Sequence, residues 1–146
     1  MPSRSENAKK PANRAKLTIF PEDYYVIHLP SHTKEIPSEW YRRATTRFAV
    51  FIRQPDEITL VVTRRKWLVM KNIFPKYQQS LPMKIVALDK DMVRKAGGYT
   101  AMAAAMAGAK LSAIPISSFS FDHLLVPKAS LPRAMRVLRS HLVNGK

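Results

Sequence analysis

Residues Ser117–Pro127 read SSFSFDHLLVP, and this stretch decides how the fold is interpreted. Two β-type runs, Leu111–Phe119 and His123–Val126, meet here with Asp122 at their junction. Asp122 is the only carboxylate after Asp91, in a segment that carries eight lysines and arginines. A lone acid in this position is either a turn residue that accepts local N–H groups or a ligand for a cationic group, and the residues leave both interpretations open.

The elements around this stretch predict a ferredoxin-like unit. Met83–Leu88 has the composition of a strand, and Tyr99–Ala109 places apolar side chains on one helical face. Ser130 precedes a final helix with an apolar stripe, and a serine there can cap it. The order is β-α-β-β-α, with a last strand not accounted for, which is typical of an α+β fold with an antiparallel sheet and helices on one face.

The first half of the chain is predicted to be a smaller, strand-rich unit. Pro55–Asp56 suits the centre of a type I turn between two β-type runs. The predicted elements are strands at Leu17–Phe20 and Tyr24–Leu29, a short helix within Ile36–Thr45, a hairpin of Arg47–Arg53 with Ile58–Thr63, and helical turns at Arg64–Lys71. We therefore divide the chain into a disordered basic tail (1–16), an N-terminal unit (17–80) and a C-terminal unit (81–146).

Composition limits the function classes. The 146 residues include no cysteine, which excludes disulfides, thiolate nucleophiles and cysteine zinc sites. No apolar run reaches the length of about 20 residues that a membrane helix needs. The tail has no apolar signal-peptide core, so we expect a cytoplasmic protein. The net charge of +15 invites polyanion binding, but the positive residues are scattered along the whole chain.

One constellation could bind a zwitterion. The glycine pair before Tyr99 would let a ligand approach the first N–H groups of a helix, which favour a carboxylate. Asp122 could hold an ammonium group, and Phe119 could cover the apolar part. The candidate residues are Gly97, Gly98, Tyr99, Ser118, Phe119 and Asp122. The alternative is that the glycines form only a loose helix entry.

No catalytic set stands out. His28 and His32 are four residues apart, but Pro30 between them prevents a helix that would bring them to one face as metal ligands. No Gly-rich phosphate loop follows a strand. The central strands also lack the exposed aromatic residues of RNA-binding sheets, with Phe119 alone at the end of one.

The segment Ser118–Pro127, with the small-residue helix before it, resembles the closing segment of ACT-type amino-acid-binding domains. The nearest kin by this resemblance are small tandem-ACT proteins related to the CASTOR family of cytosolic arginine sensors. The resemblance extends over about residues 17–143 and includes the PDEITLVV run, Pro55–Val62.

The resemblance implies two ACT-like units and a regulatory role without catalysis or cofactor. In the arginine sensors the ligand lies between ACT units, held by segments that match Lys95–Tyr99 and Ser118, Phe119 and Asp122. Those sensors are about twice as long, so a single pair of units would have to form a homodimer. An acidic residue that helps hold the guanidinium aligns with Lys95, which would repel arginine. A neutral or acidic amino acid is then at least as plausible a ligand.

Two functions therefore remain. The first is a non-enzymatic sensor that binds an amino acid through Asp122 and its neighbours. The second is a basic adaptor that binds RNA, ribosomes or another polyanion and keeps the ACT-like fold as a scaffold. A third possibility is a structural domain that has lost its ligand.

Overall fold

A computed structural model describes residues 17–33, 36 and 47–144. The predicted tail and nearly all of the predicted helix at Ile36–Thr45 lie outside these residues. The strands are β1 (Leu17–Ile19), β2 (Tyr24–Pro30), β3 (Val50–Arg53), β4 (Glu57–Thr63), β5 (Gln78–Gln79), β6 (Met83–Asp89), β7 (Ile114–Ser117) and β8 (Phe121–Pro127). The α-helices are α1 (Arg64–Met70), α2 (Lys90–Lys95), α3 (Gly98–Gly108) and α4 (Leu131–Asn144).

All eight strands join one antiparallel sheet, with the main order β3-β4-β2-β6-β8-β7. The first half contributes β5-β2-β4-β3, since β5 pairs with β2. The second half contributes β1-β6-β8-β7, since β1 pairs with β6. Each half thus has the 4-1-3-2 strand order of a ferredoxin-like unit. The predicted α+β class is confirmed.

The sequence of the C-terminal half contains three of the four strands of a ferredoxin-like unit, and β1 is the fourth. Leu17 lies opposite Leu88 and Ile19 opposite Val86 on β6. The predicted N-terminal unit 17–80 therefore begins with a strand that hydrogen-bonds to the other unit. The C-terminal unit takes its last strand from a segment more than 60 residues before β6.

The link between β1 and β2 is fixed by an ionic cluster. Asp23 Oδ1 lies 2.9 Å from Lys84 Nζ, and its Oδ2 lies 2.8 Å from Lys128 Nζ. The Lys84 ammonium also donates to the Pro21 carbonyl at 2.8 Å. These contacts tie the turn before β2 to β6 and to the end of β8.

The helices cover one face of the sheet, as predicted. On β6 and β8, Val86, Leu88, Leu124 and Val126 pack with residues of α2, α3 and α4. In the first half, β2 and β4 pack against Trp67 of α1. The opposite face, which carries no helix among the described residues and is called the helix-free face below, is also apolar, and its buried residues include Phe20, Tyr24, Val61, Ile85, Ala87 and Leu125.

Local sequence explains most of these elements. The Gln54 N–H donates to the Glu57 carbonyl at 2.9 Å and closes the predicted Pro55–Asp56 turn. Asp89 accepts from the Asp91 N–H at 2.8 Å and caps α2. Helix α3 buries Met102 and Met106, as its spacing predicts.

No helix among the described residues is both long enough and apolar enough to cross a membrane.

Candidate functional site

Asp122 lies inside strand β8, with Ser117 of β7 opposite it on one side and Leu88 of β6 on the other. The interpretation of Asp122 as a turn residue is therefore wrong. The two-residue turn falls earlier, at Phe119–Ser120, where the Ser118 N–H donates to the Phe121 carbonyl at 2.9 Å. The run Leu111–Phe119 predicted a strand that continues to Phe119 and so placed the junction at Asp122. In the structure β7 ends at Ser117, and the turn comes earlier.

The Asp122 side chain is buried on the helix-covered face of the sheet. Leu124 and Val126, two and four residues further along β8, pack against the helices, and alternation places Asp122 on their side. The residue is 7% exposed. Its Oδ1 accepts a hydrogen bond of 2.6 Å from the Ser117 hydroxyl. It forms no ion pair with any residue that the structure describes.

Tyr99 lies close enough to Asp122 for the two side chains to interact electrostatically. It is half-buried at the start of α3 and packs against the apolar core below the helices. Burial raises the pKa of Tyr99, and the negative charge of Asp122 raises it further. The phenol therefore stays protonated at neutral pH and can donate a hydrogen bond.

The two glycines before Tyr99 have a backbone that other residues rarely adopt. Their φ angles are +96° at Gly97 and +84° at Gly98. A Cβ at Gly97 would lie 3.1 Å from the Cβ of Ala101, whereas one at Gly98 would meet nothing within 4 Å. The pair turns the chain sharply between α2 and α3, so it is more than a loose helix entry.

Ser118 and Phe119 lie at the tip of the β7–β8 hairpin. The Ser118 hydroxyl donates to the Phe121 carbonyl at 3.2 Å, so it supports the turn. Phe119 is 98% exposed, so it does not cover Asp122 in the part of the chain that the structure describes. Lys95 is the exposed last residue of α2, two positions before Gly97.

Sequence reasoning missed two residues beside Asp122. Ser117 was outside the candidate set, although a two-residue hairpin turn at Phe119–Ser120 would have placed it opposite Asp122. His123 was also outside the candidate set, and it lies buried on the helix-free face. Because side chains alternate between the two faces of a strand, the sequence of β8 could have predicted that Asp122 and His123 lie on opposite faces of the sheet.

No protein-family model matches the chain, and no curated protein is significantly similar to it. Its fold is similar to solved structures. A Vibrio cholerae protein of unknown function, described as a possible transport protein, aligns with 88% of this chain and 90% of its own, at 17% identity and a TM-score of 0.62. An Agrobacterium tumefaciens protein aligns over 89% and 90%, at 20% identity and a TM-score of 0.62.

Regulatory parts of aspartate kinases share the fold as well. The ligand-free regulatory subunit of aspartate kinase from Thermus thermophilus aligns over 86% of this chain and 97% of its own, at 8% identity and a TM-score of 0.62. At these identities the likeness concerns the fold alone. The chain has the ACT-type fold of aspartate kinase regulatory domains.

Proposed function

We propose that this protein is a non-catalytic regulatory protein that binds a small amino acid at the Asp122 site. The observation that carries the proposal is the buried Asp122 carboxylate, whose hydrogen bond comes from Ser117 and which has no cationic partner among the described residues. Buried carboxylates are normally paired because desolvation is costly. An ammonium group of a ligand would complete this site.

The start of α3 suits the other end of an amino acid. The first N–H groups of a helix have no partner within the helix and attract a carboxylate. The sharp turn at Gly97–Gly98 leaves that backbone without a covering side chain, and Tyr99 lies close enough to Asp122 to interact electrostatically. The cation at Lys95 favours a neutral or acidic ligand side chain over arginine.

A regulatory role is supported by the fold and by the placement of the titratable groups. The regulatory subunit of an aspartate kinase shares this fold, and an Escherichia coli aspartokinase that shares it over 33% of its chain was solved in complex with aspartate and ADP. Two histidines direct a ring nitrogen to a backbone carbonyl, His123 to Ile116 and His141 to Ala96. Neither histidine is placed as a base beside a hydroxyl nucleophile.

A second copy of the chain is the expected partner at this site. Strand β7 is an edge of the sheet, with Ile114 42% exposed. Phe121 is 46% exposed and Phe119 almost fully so. We propose that a homodimer covers this edge and that Phe119, at the tip of the β7–β8 hairpin, contributes to the dimer interface. Sedimentation equilibrium should show a dimer that Phe119→Ser weakens.

The decisive experiment is a thermal-shift screen across the proteinogenic amino acids. A ligand at 100 times its Kd adds about 2.7 kcal/mol of stability. For a domain of this size that corresponds to a rise in Tm of about 5–10 °C. Asp122→Asn should abolish the shift, whereas Asp91→Asn, which removes the charge of an exposed aspartate paired with Arg94, should leave it intact. The proposal fails if no amino acid raises Tm or if Asp122→Asn keeps the wild-type shift.

A basic adaptor is the second candidate, and helix α4 favours it. Arg133, Arg136 and Arg139 are exposed along this helix and form no ion pair with the described residues. Such a row can contact successive phosphates of a nucleic acid. Replacing all three by glutamine should then reduce RNA affinity and flatten its salt dependence. Weak, salt-insensitive binding of the wild type would remove this candidate.

A further inference from the structure

A cavity of about 780 Å³ is lined from both faces of the sheet, by Val50 and Ala87 of the helix-free face and by Ile36 and Leu60 of the helix-covered one. Small-molecule sites typically have about 300–1,000 Å³, mostly apolar walls and a few polar groups. The walls here are mainly apolar and include Phe20, Ile36, Phe48, Val50, Ala87 and Phe121. The polar side chains on the lining include Arg47, Lys66 and His123.

An aromatic cluster forms one wall of this cavity. The ring of His123 lies 4.6 Å from that of Phe48 and 6.0 Å from that of Phe20, measured between centroids. Phe20 and Phe48 are themselves 6.1 Å apart. These separations are typical of packed aromatic rings, so a planar ligand ring could extend the cluster with favourable contacts.

His123 presents a hydrogen-bond acceptor to the cavity. Its Nδ1 lies 3.1 Å from the Ile116 carbonyl, which can only accept, so Nδ1 carries the proton. Burial lowers the pKa of His123 and keeps the ring neutral, which leaves Nε2 as an acceptor. Nε2 has no partner among the described residues, and every fully buried side-chain nitrogen or oxygen there is satisfied. Since His123 is part of the cavity lining, we infer that Nε2 is open to a donor from a ligand there.

The charged groups on the lining are cationic. The Arg47 guanidinium lies 5.5 Å from the centroid of the Phe20 ring, on the same wall as His123. Its nearest carboxylate is that of Glu22, at 3.7 Å, and the two side chains are 50% and 35% exposed. A long, solvent-screened pair of this kind is weak, so a ligand carboxylate can replace Glu22. Among the described residues, no aspartate or glutamate lines the cavity.

We propose that this cavity binds an aromatic carboxylic acid that carries a hydroxyl or N–H donor on its ring. Arg47 holds the carboxylate, the rings of Phe20 and Phe48 pack against the aromatic body, and Nε2 of His123 accepts the hydrogen bond of the donor. Asp122 and Tyr99 are not among the described residues that line this cavity, although Ser118 is, so this site is distinct from the Asp122–Tyr99 pair.

The test is titration calorimetry with four probes, 4-hydroxyphenylacetate, phenylacetate, indole-3-acetate and phenylacetamide. The hydroxylated and indole acids should bind most tightly, because an unmade hydrogen bond at a buried acceptor is costly. Phenylacetamide, which lacks the charge, should bind about tenfold more weakly than phenylacetate or worse. His123→Phe keeps a ring in the cluster and should abolish the advantage of 4-hydroxyphenylacetate over phenylacetate.

Arg47→Gln has a matched control in Arg53→Gln. Arg53 also lies over a phenylalanine ring, at 5.8 Å from that of Phe51, but is not part of the cavity lining. Arg47→Gln should weaken the acids about tenfold, the loss of one charged hydrogen bond, while Arg53→Gln leaves them unchanged. Equal weakening by both variants, or no heat with any acid, overturns the proposal. Asp122→Asn leaves Arg47 and the aromatic rings unchanged, so it should weaken the acids far less than Arg47→Gln does, and the two sites are tested separately.

Discussion

Asp122 and His123 are consecutive residues of β8, and their side chains lie on opposite faces of the sheet. Asp122 faces the helices and accepts from Ser117, whereas His123 packs between the rings of Phe20 and Phe48. The carboxylate still acts on the imidazole, since its negative charge partly opposes the lowering of the His123 pKa by burial. One strand thus connects the two proposed ligand sites electrostatically.

Asp122→Asn should therefore lower the pKa of His123 further. The largest influence on this pKa is burial, which lowers it, and the Ile116 carbonyl and the Asp122 charge raise it. Removal of the charge leaves burial less opposed. Titration of the imidazole resonances by NMR measures the change directly. Asp91→Asn serves as the control, because Asp91 is exposed and pairs with Arg94. An unchanged His123 titration in Asp122→Asn would contradict this coupling.

The same pKa predicts a loss of stability in mild acid. The folded-state pKa of His123 lies below its ordinary value, so the unfolded chain binds more protons as the pH falls. Stability is then full above about pH 6.5 and decreases as the pH falls from there toward the lowered pKa. In His123→Phe this component should be absent from the urea unfolding free energy measured between pH 7.5 and 5.

The sequence predicted the fold class because its periodic elements are locally determined. The amphipathic spacing of Met102 and Met106 and the Pro55–Asp56 turn both formed as expected. The pairing of Leu17–Ile19 with β6 could not be predicted in this way, because no local pattern states which distant strand completes a sheet. In the candidate site, Tyr99 and Asp122 lie close enough to interact electrostatically. The exposure of Phe119 could not be predicted, because it depends on the residue at which the hairpin turns.

Deletion of β1 should destabilise the C-terminal half specifically. We compare a chain lacking residues 1–16 with one lacking 1–19, so that their difference reports β1 alone. Leu17 packs against the core below the helices, and burial of one such side chain contributes about 1.5–3 kcal/mol. The longer deletion should lower the urea unfolding free energy by at least that amount and increase hydrogen exchange in β6. Equal stability of the two chains would show that β6 does not need this partner.

Asp23→Asn should destabilise the protein at neutral pH and have less effect in acid. Hydrogen bonds from Lys128 and Lys84 hold the pKa of Asp23 below its ordinary value. A depressed carboxyl pKa contributes stability that is full above the ordinary value and is lost as the pH falls through the lowered one. The expected deficit is about 1–3 kcal/mol at pH 7, since charged hydrogen bonds are lost.

The deficit of Asp23→Asn should begin to shrink below about pH 4, where the carboxyl of the unfolded chain becomes protonated, and should vanish once the pH falls below the lowered folded-state pKa. Guanidinium unfolding would obscure the ion pairs by screening, so urea is the suitable denaturant. Asp56→Asn is the matched control, because Asp56 is exposed in the β3–β4 turn. A deficit that stays constant down to pH 2.5 would rule out the ionic origin.

The glycines before α3 should tolerate alanine in a graded order. Gly97→Ala forces a side chain into a φ of +96° and brings its Cβ to 3.1 Å from Ala101, so it should be the most damaging. Gly98→Ala meets no atom within 4 Å and should cost only the left-handed backbone strain, about 1–2 kcal/mol. Gly108→Ala, in the same helix with an ordinary φ, should be neutral or stabilise by up to about 1 kcal/mol. The free energies of urea unfolding give the order of the three variants. Equal losses at all three positions would show that the chain does not need a glycine backbone at Gly97 and Gly98, and the sharp turn would no longer support the proposed amino-acid site.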